Sequence, residues 1–117
     1  MIIGRTVWGR RSLDYHLKGT EFKITPLKGH HDIPLGALLP QHVDNLIVAG
    51  RAISCDHESQ ASLRGAATCM ATGHVAGTTA ALAAKENGKI RDLNIRGIQK
   101  TLLAQDAILG VRERANV

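Results

Sequence analysis

Two arginines stand where this chain could meet an anion. Arg51 follows Gly50 at the end of a short apolar run, Leu46-Ile47-Val48-Ala49. In open α/β sheets ligands bind beyond the carboxyl ends of strands, so a guanidinium at that point meets a phosphate. The same arginine could instead pair with a neighbouring carboxylate, Asp56 or Glu58. Arg64 opens the second cluster, ahead of a long helical pattern whose first turns hold Thr68, Cys69 and Met70. A helix N-terminus presents unpaired N–H groups and about half a positive charge. Cys69 reads equally well as a small buried hydrophobe.

Other chemistries find no pattern. Cys55-Asp56-His57-Glu58 holds four potential metal ligands, with His30, His31, Asp32 and His42 elsewhere. Adjacent residues cannot all face one ion, and no C-x-x-C or H-x3-H spacing accompanies them, so no metal site is expected. Ser54, Ser59 and Ser62 lie near His57, yet no G-x-S-x-G elbow surrounds them. A dinucleotide-binding βαβ turn needs G-x-G-x-x-G between a strand and a helix, and that spacing does not occur.

The elements that must position these residues follow from periodicity. Asn45 to Ala49 reads as a short strand buried on both faces, ended by Gly50, where the missing Cβ permits a sharp turn and close approach of a ligand. A helix is expected from near Ser62 to Lys85, stopped by Asn87-Gly88. Gly65, Cys69, Gly73, Gly77 and Ala81 recur at i, i+4 spacing and leave one helix face almost without bulk. Each interior glycine costs a helix about 1 kcal/mol against alanine. Three on one stripe therefore imply that the helix lies close against a sheet, another backbone or a flat ligand. A last helix is expected over Ile95 to Gln105, with Ile98 and Leu102 on the face of Ile95 and Asn94 or Asp92 as cap. Before residue 30, Ile2 to Trp8 and Glu21 to Thr25 read as strands. Pro26, Pro34 and Pro40 mark a loop region, with a turn of helix between the last two.

Composition places this within one domain of 117 residues. Hydrophobic residues make up 44% and charged residues 21%, which argues against wholesale disorder. The three aromatics, Trp8, Tyr15 and Phe22, all fall in the first quarter, so the core beyond must be aliphatic. The net charge of +5 concentrates between Arg5 and Lys28. No nucleic-acid-binding motif accompanies that charge, so a solvated surface or an acidic partner is favoured over nucleic acid. Two cysteines do not make a disulfide framework and fit a reducing cytoplasm. No 18-residue apolar run is available to span a membrane, and the N-terminus has no signal-peptide pattern.

Taken in order, IPLGALLP (Ile33 to Pro40), DNLIVAGRAIS (Asp44 to Ser54), HESQASLR (His57 to Arg64) and CMATGHVAGTTAALA (Cys69 to Ala83) resemble the C-terminal flavin-binding part of the FAD-dependent oxidoreductase family, within the glutathione-reductase-like FAD/NAD(P)-binding superfamily. The likeness runs from about residue 31 to 109, after a strand-rich segment 1–30. It implies an α/β chain with a partial FAD/NAD(P)-binding fold: a short buried strand, a long Gly/Ala-rich helix, N-terminal strands and a short C-terminal helix.

The resemblance further implies FAD as cofactor and flavin-mediated hydride transfer as the chemistry. Gly50 and Arg51 would meet the phosphate or ribityl side. Arg64, Thr68, Cys69 and Met70 would lie along the ring edge where negative charge gathers on reduction. His30-His31 would end a loop at the flavin's edge, and His74 stands where a Gln is common. Because the G-x-G-x-x-G half is absent, the isolated chain is expected to bind FAD weakly or not at all. It would need a partner chain supplying that half, or self-association. The alternative is a small non-catalytic interaction or structural module without flavin. No catalytic base can be named.

Overall fold

In the computed structural model the structure describes residues 2–5, 11–16, 22–27 and 32–109. Four strands come first: β1 (Ile2–Arg5), β2 (Arg11–His16), β3 (Phe22–Leu27) and β4 (Asp32–Pro34). β1 pairs antiparallel with β4, Arg5 opposite Asp32, with an irregularity between Ile2 and Gly4. β2 pairs antiparallel with β3, from Arg11 opposite Leu27 to His16 opposite Phe22. β1 and β3 fall on two segments expected to be strands. β2 was not foreseen, and β4 lies inside the proline-marked loop. The expected turn of helix between Pro34 and Pro40 is present as a 3-10 turn at Leu35–Leu38.

The expected strand at 45–49 is corrected. Ala49 is extended, at φ −141° and ψ 174°, but Asn45 is left-handed at φ 54°, and no ladder forms on the segment among the described residues. A strand is defined by its partners, and the Val48 N–H goes to Leu38 O at 2.8 Å, in the 3-10 turn. Nor is the segment buried on both faces: Leu46 is 47% exposed and Ile47 to Ala49 are half-buried.

The single long helix is corrected too, into α1 (His57–Leu63) and α2 (Ala66–Lys85). Arg64 closes α1 by donating its N–H to Gln60 O. Gly65 then turns extended, at φ −63° and ψ 146°, and becomes the residue preceding α2. The far end of α2 follows expectation. Gly88 N–H donates to Ala83 O at 3.1 Å and Asn87 N–H to Ala84 O at 3.4 Å, the paired bonds of a Schellman stop. Asn87, at φ 49°, is the left-handed residue. α3 (Ile95–Ala104) ends in the same way, with Asp106 left-handed and Ala107 N–H on Leu102 O.

α2 packs its inner face with Thr68, Thr72, Val75, Ala76, Thr79 and Ala83. Threonine packs on this face where its hydroxyl turns back on its own helix, as at Thr72 and Thr79. Thr79 Oγ1 donates to Val75 O at 2.7 Å, a bond open to β-branched hydroxyls in helices. With Val75 and Ala76 this face joins a core that among the described residues is aliphatic: Ile33, Leu35, Leu38, Ile53, Leu63, Ile98, Leu102 and Leu109. Of the expected α3 face, Ile98 and Leu102 are buried, while Ile95 is 39% exposed.

The close-packed glycine stripe is the third correction. A Cβ added at Gly73 or Gly77 would meet nothing within 4 Å. That side of α2 also exposes Met70 at 76%, together with Ala66, Ala67, Ala81 and Ala84. The small side chains leave room that no described residue fills.

Candidate functional site

The segment that delivers Arg51 is held at both ends. At its start, Asn45 takes a left-handed conformation (φ 54°) and its Oδ1 accepts from Ile90 N–H at 3.3 Å. Asp44 pairs there with Lys89 at 3.6 Å and Arg91 at 3.9 Å, and Arg91 also donates to Pro40 O. These exposed pairs contribute little individually; together they moor the loop to the turn that follows α2. At the segment's far end, Gly50 has φ +68° and its N–H donates to Thr72 Oγ1 at 2.9 Å. Here glycine is required, since a side chain at that φ is strained. Gly50–Ala52 forms one 3-10 turn. The chain therefore runs from the C-terminal end of α2 towards its N-terminal half and leaves Arg51 beside the helix start.

An open pocket of about 600 Å³ lies at that start, lined by Arg51, Gln60, Ala61, Arg64, Gly65 and Ala66. The three α-helices among the described residues begin differently. Asp56 caps α1 by accepting from Ser59 N–H at 2.7 Å, and Asn94 caps α3 by accepting from Arg96 N–H at 3.0 Å. α2 begins at Gly65 without any side-chain cap. Its first-turn N–H groups, at Ala66, Ala67 and Thr68, have no acceptor within the helix. Two guanidinium groups and the positive end of a 20-residue helix thus border one opening.

Arg51 and Arg64 both line this pocket, and Gly50 opens the 3-10 turn that carries Arg51. Among the described residues Arg51 makes no ion pair. Asp56, one of its expected carboxylate neighbours, is engaged with Ser59; hydrogen bonds from the Ser59 side chain and backbone, with His57 nearby, hold its carboxyl below the ordinary value.

The three first-turn residues separate. Thr68 is buried, and its N–H lies in the first turn, where the helix supplies no acceptor. Cys69 N–H is taken by Gly65 O at 2.9 Å. The Cys69 thiol faces Leu63 O and Arg64 O at 4.0 and 3.7 Å and lies under Gly50. Met70 points outward. Gly65, Ala66 and Ala67 are thus better placed than Cys69 or Met70 to present backbone donors.

Sequence reasoning missed Thr72, which looks like one more small residue in an Ala-Thr-Gly run. It missed as well the link between α2 and α3, where His74 Nε2 donates to Gln105 Oε1 at 2.7 Å and Thr78 Oγ1 donates to the same oxygen at 3.1 Å. The 27 to 31 residues of separation left no local signal. No His/Cys/Asp/Glu cluster able to hold a metal occurs among the described residues. Nor does any helix there have the length and apolarity to cross a membrane. His30 and His31 lie outside the described residues.

Residues 5–102 match the family model for FAD dependent oxidoreductases. No curated protein and no solved structure matches the chain.

Proposed function

The chain belongs to the FAD-dependent oxidoreductase family, and we propose from that premise that it supplies the cationic, C-terminal side of a flavin site. The observation that carries this reading is the uncapped start of α2 opening between Arg51 and Arg64. The residues present fit an anionic cofactor: two guanidinium groups, a helix N-terminus, and a glycine turn that lets backbone approach closely. Arg51 takes the phosphate or ribityl side. Arg64, with the N–H groups of the first turn of α2, takes the electron-rich edge of the ring. Met70 adds a polarizable apolar surface beside it. FAD, when bound, supplies hydride transfer; the chain's own residues bind, orient and neutralise charge.

The site is incomplete in the isolated chain, since no glycine-rich phosphate turn occurs in its sequence. The exposed, nearly bulk-free face of α2 supports a partner chain carrying that half, or a second copy of this one. The same face also favours the second reading, a flavin-free interaction module. Titration of FAD into the purified chain separates these. Weak binding, reduced several-fold by Arg51→Gln and by Arg64→Gln, is expected. Submicromolar stoichiometric binding by the chain alone would sink the incompleteness. Binding indifferent to both substitutions would sink the pocket, and no binding at any concentration would favour the interaction module.

A further inference from the structure

We infer that Thr72 is a positioning residue for this pocket: its hydroxyl fixes the Gly50–Arg51 turn against α2 without itself touching a ligand. The inference rests on reading the pocket as an anion site.

Thr72 is 4% exposed and does not line the opening. Its hydroxyl has one proton and two lone pairs. The proton goes back to the helix, towards Thr68 O at 3.1 Å or Cys69 O at 3.0 Å. Committing the proton there turns a lone pair outward in a fixed direction, and Gly50 N–H meets it at 2.9 Å. Among the described residues this is the one hydrogen bond joining the turn at 50–52 to α2. The chain on either side is tied elsewhere: Val48 N–H to Leu38 O and Ser54 N–H to Ala37 O, each at 2.8 Å. Those bonds hold the approach and exit of the turn but leave its height along α2 undetermined. Thr72 sets it, placing Arg51 near the helix start.

A purely structural role would be met by any residue that fills the space, as Thr79 illustrates. Thr79 also bonds back to its own helix, and it accepts nothing from another segment among the described residues. Position 72 differs only in having a second partner, and that partner is the residue before Arg51.

The test compares Thr72→Val and Thr72→Ser in the full chain, with Thr79→Val as a control for loss of a buried hydroxyl. Amide hydrogen exchange at Gly50 and titration with inorganic pyrophosphate are both measured. In Thr72→Val, Gly50 protection should fall about tenfold, the size of one lost hydrogen bond, and pyrophosphate affinity should fall several-fold. Thr72→Ser should restore both, and Thr79→Val should move neither. Unchanged Gly50 exchange in Thr72→Val, or unchanged affinity where the parent chain binds, would overturn the inference. A parent chain that ignores pyrophosphate would overturn the anion-site reading instead, and Gly50 exchange would still decide whether Thr72 holds the turn.

Discussion

The two faces of α2 differ in what they ask of their side chains. The inner face is built from threonine, valine and alanine, and it is filled: Thr79 has no exposed surface, and Leu102 of α3, in the same core, has none either. The outer face is built from glycine and alanine around an exposed Met70, and a Cβ at Gly73 or Gly77 would meet no described residue within 4 Å. Smallness therefore serves opposite ends along one helix. On the inside, hydroxyls that bond back to the helix make short side chains packable. On the outside, absent side chains keep a surface flat. A flat apolar face left open is a loss for an isolated domain, because two helical glycines, Gly73 and Gly77, weaken α2 with no contact in return. Such a face makes sense as an approach surface for something the chain meets.

The sharpest way to break this comparison is to empty the filled side. Leu102→Ala removes a fully buried side chain from the layer where α3 meets the core, and large-to-small changes of this kind cost about 2–5 kcal/mol. Chemical denaturation should show a midpoint lowered accordingly. A loss below about 1 kcal/mol would mean that the inner face is loosely packed and that the contrast is false.

The open side should respond with the opposite sign. Gly73→Ala adds a Cβ into empty space on an exposed helix position, so the propensity gain of about 1 kcal/mol should appear almost in full as added stability. The sequence alone leads to the reverse expectation for bulk at Gly73, since a small-residue stripe suggests close packing. A lowered midpoint for Gly73→Ala would restore that view and place a neighbour against the stripe in solution.

This reversal shows where the sequence was legible. Helix stops were readable because they depend on local chemistry: Asn87-Gly88 ends α2 where a left-handed residue is tolerated, and Asn94 caps α3. Arg51 and Arg64 stand out in the sequence because each adjoins a glycine, Gly50 or Gly65, at which the chain turns. The break at Arg64–Gly65 was not readable, because periodicity continues across it and only the backbone of Gly65 departs. The segment 45–49 misled for a different reason. Its apolar run specifies an extended, partly buried conformation but says nothing about whether flanking strands exist. The spacing of the glycine stripe recorded that bulk is absent, which is equally true of a surface that is packed and one that is open. Thr72 could not be read at all, since its partner lies 22 residues away.

The smallest expected effect probes why threonine serves on the inner face. Thr79→Val replaces the hydroxyl by a methyl group of nearly equal size. The donor that is lost pointed at Val75 O, a carbonyl that in an α-helix also accepts from the N–H four residues on, so no buried acceptor is left bare. Both residues are β-branched and similarly restrained in a helix. The loss of one modest hydrogen bond is offset by a little more apolar surface in a fully buried place. A midpoint within about 0.5 kcal/mol of the parent chain is therefore expected. A drop of about 2 kcal/mol, the range for a buried polar group left unsatisfied, would show that the Thr79 hydroxyl serves a partner beyond its own helix. The distinction between Thr79 as filler and Thr72 as clamp would then no longer hold.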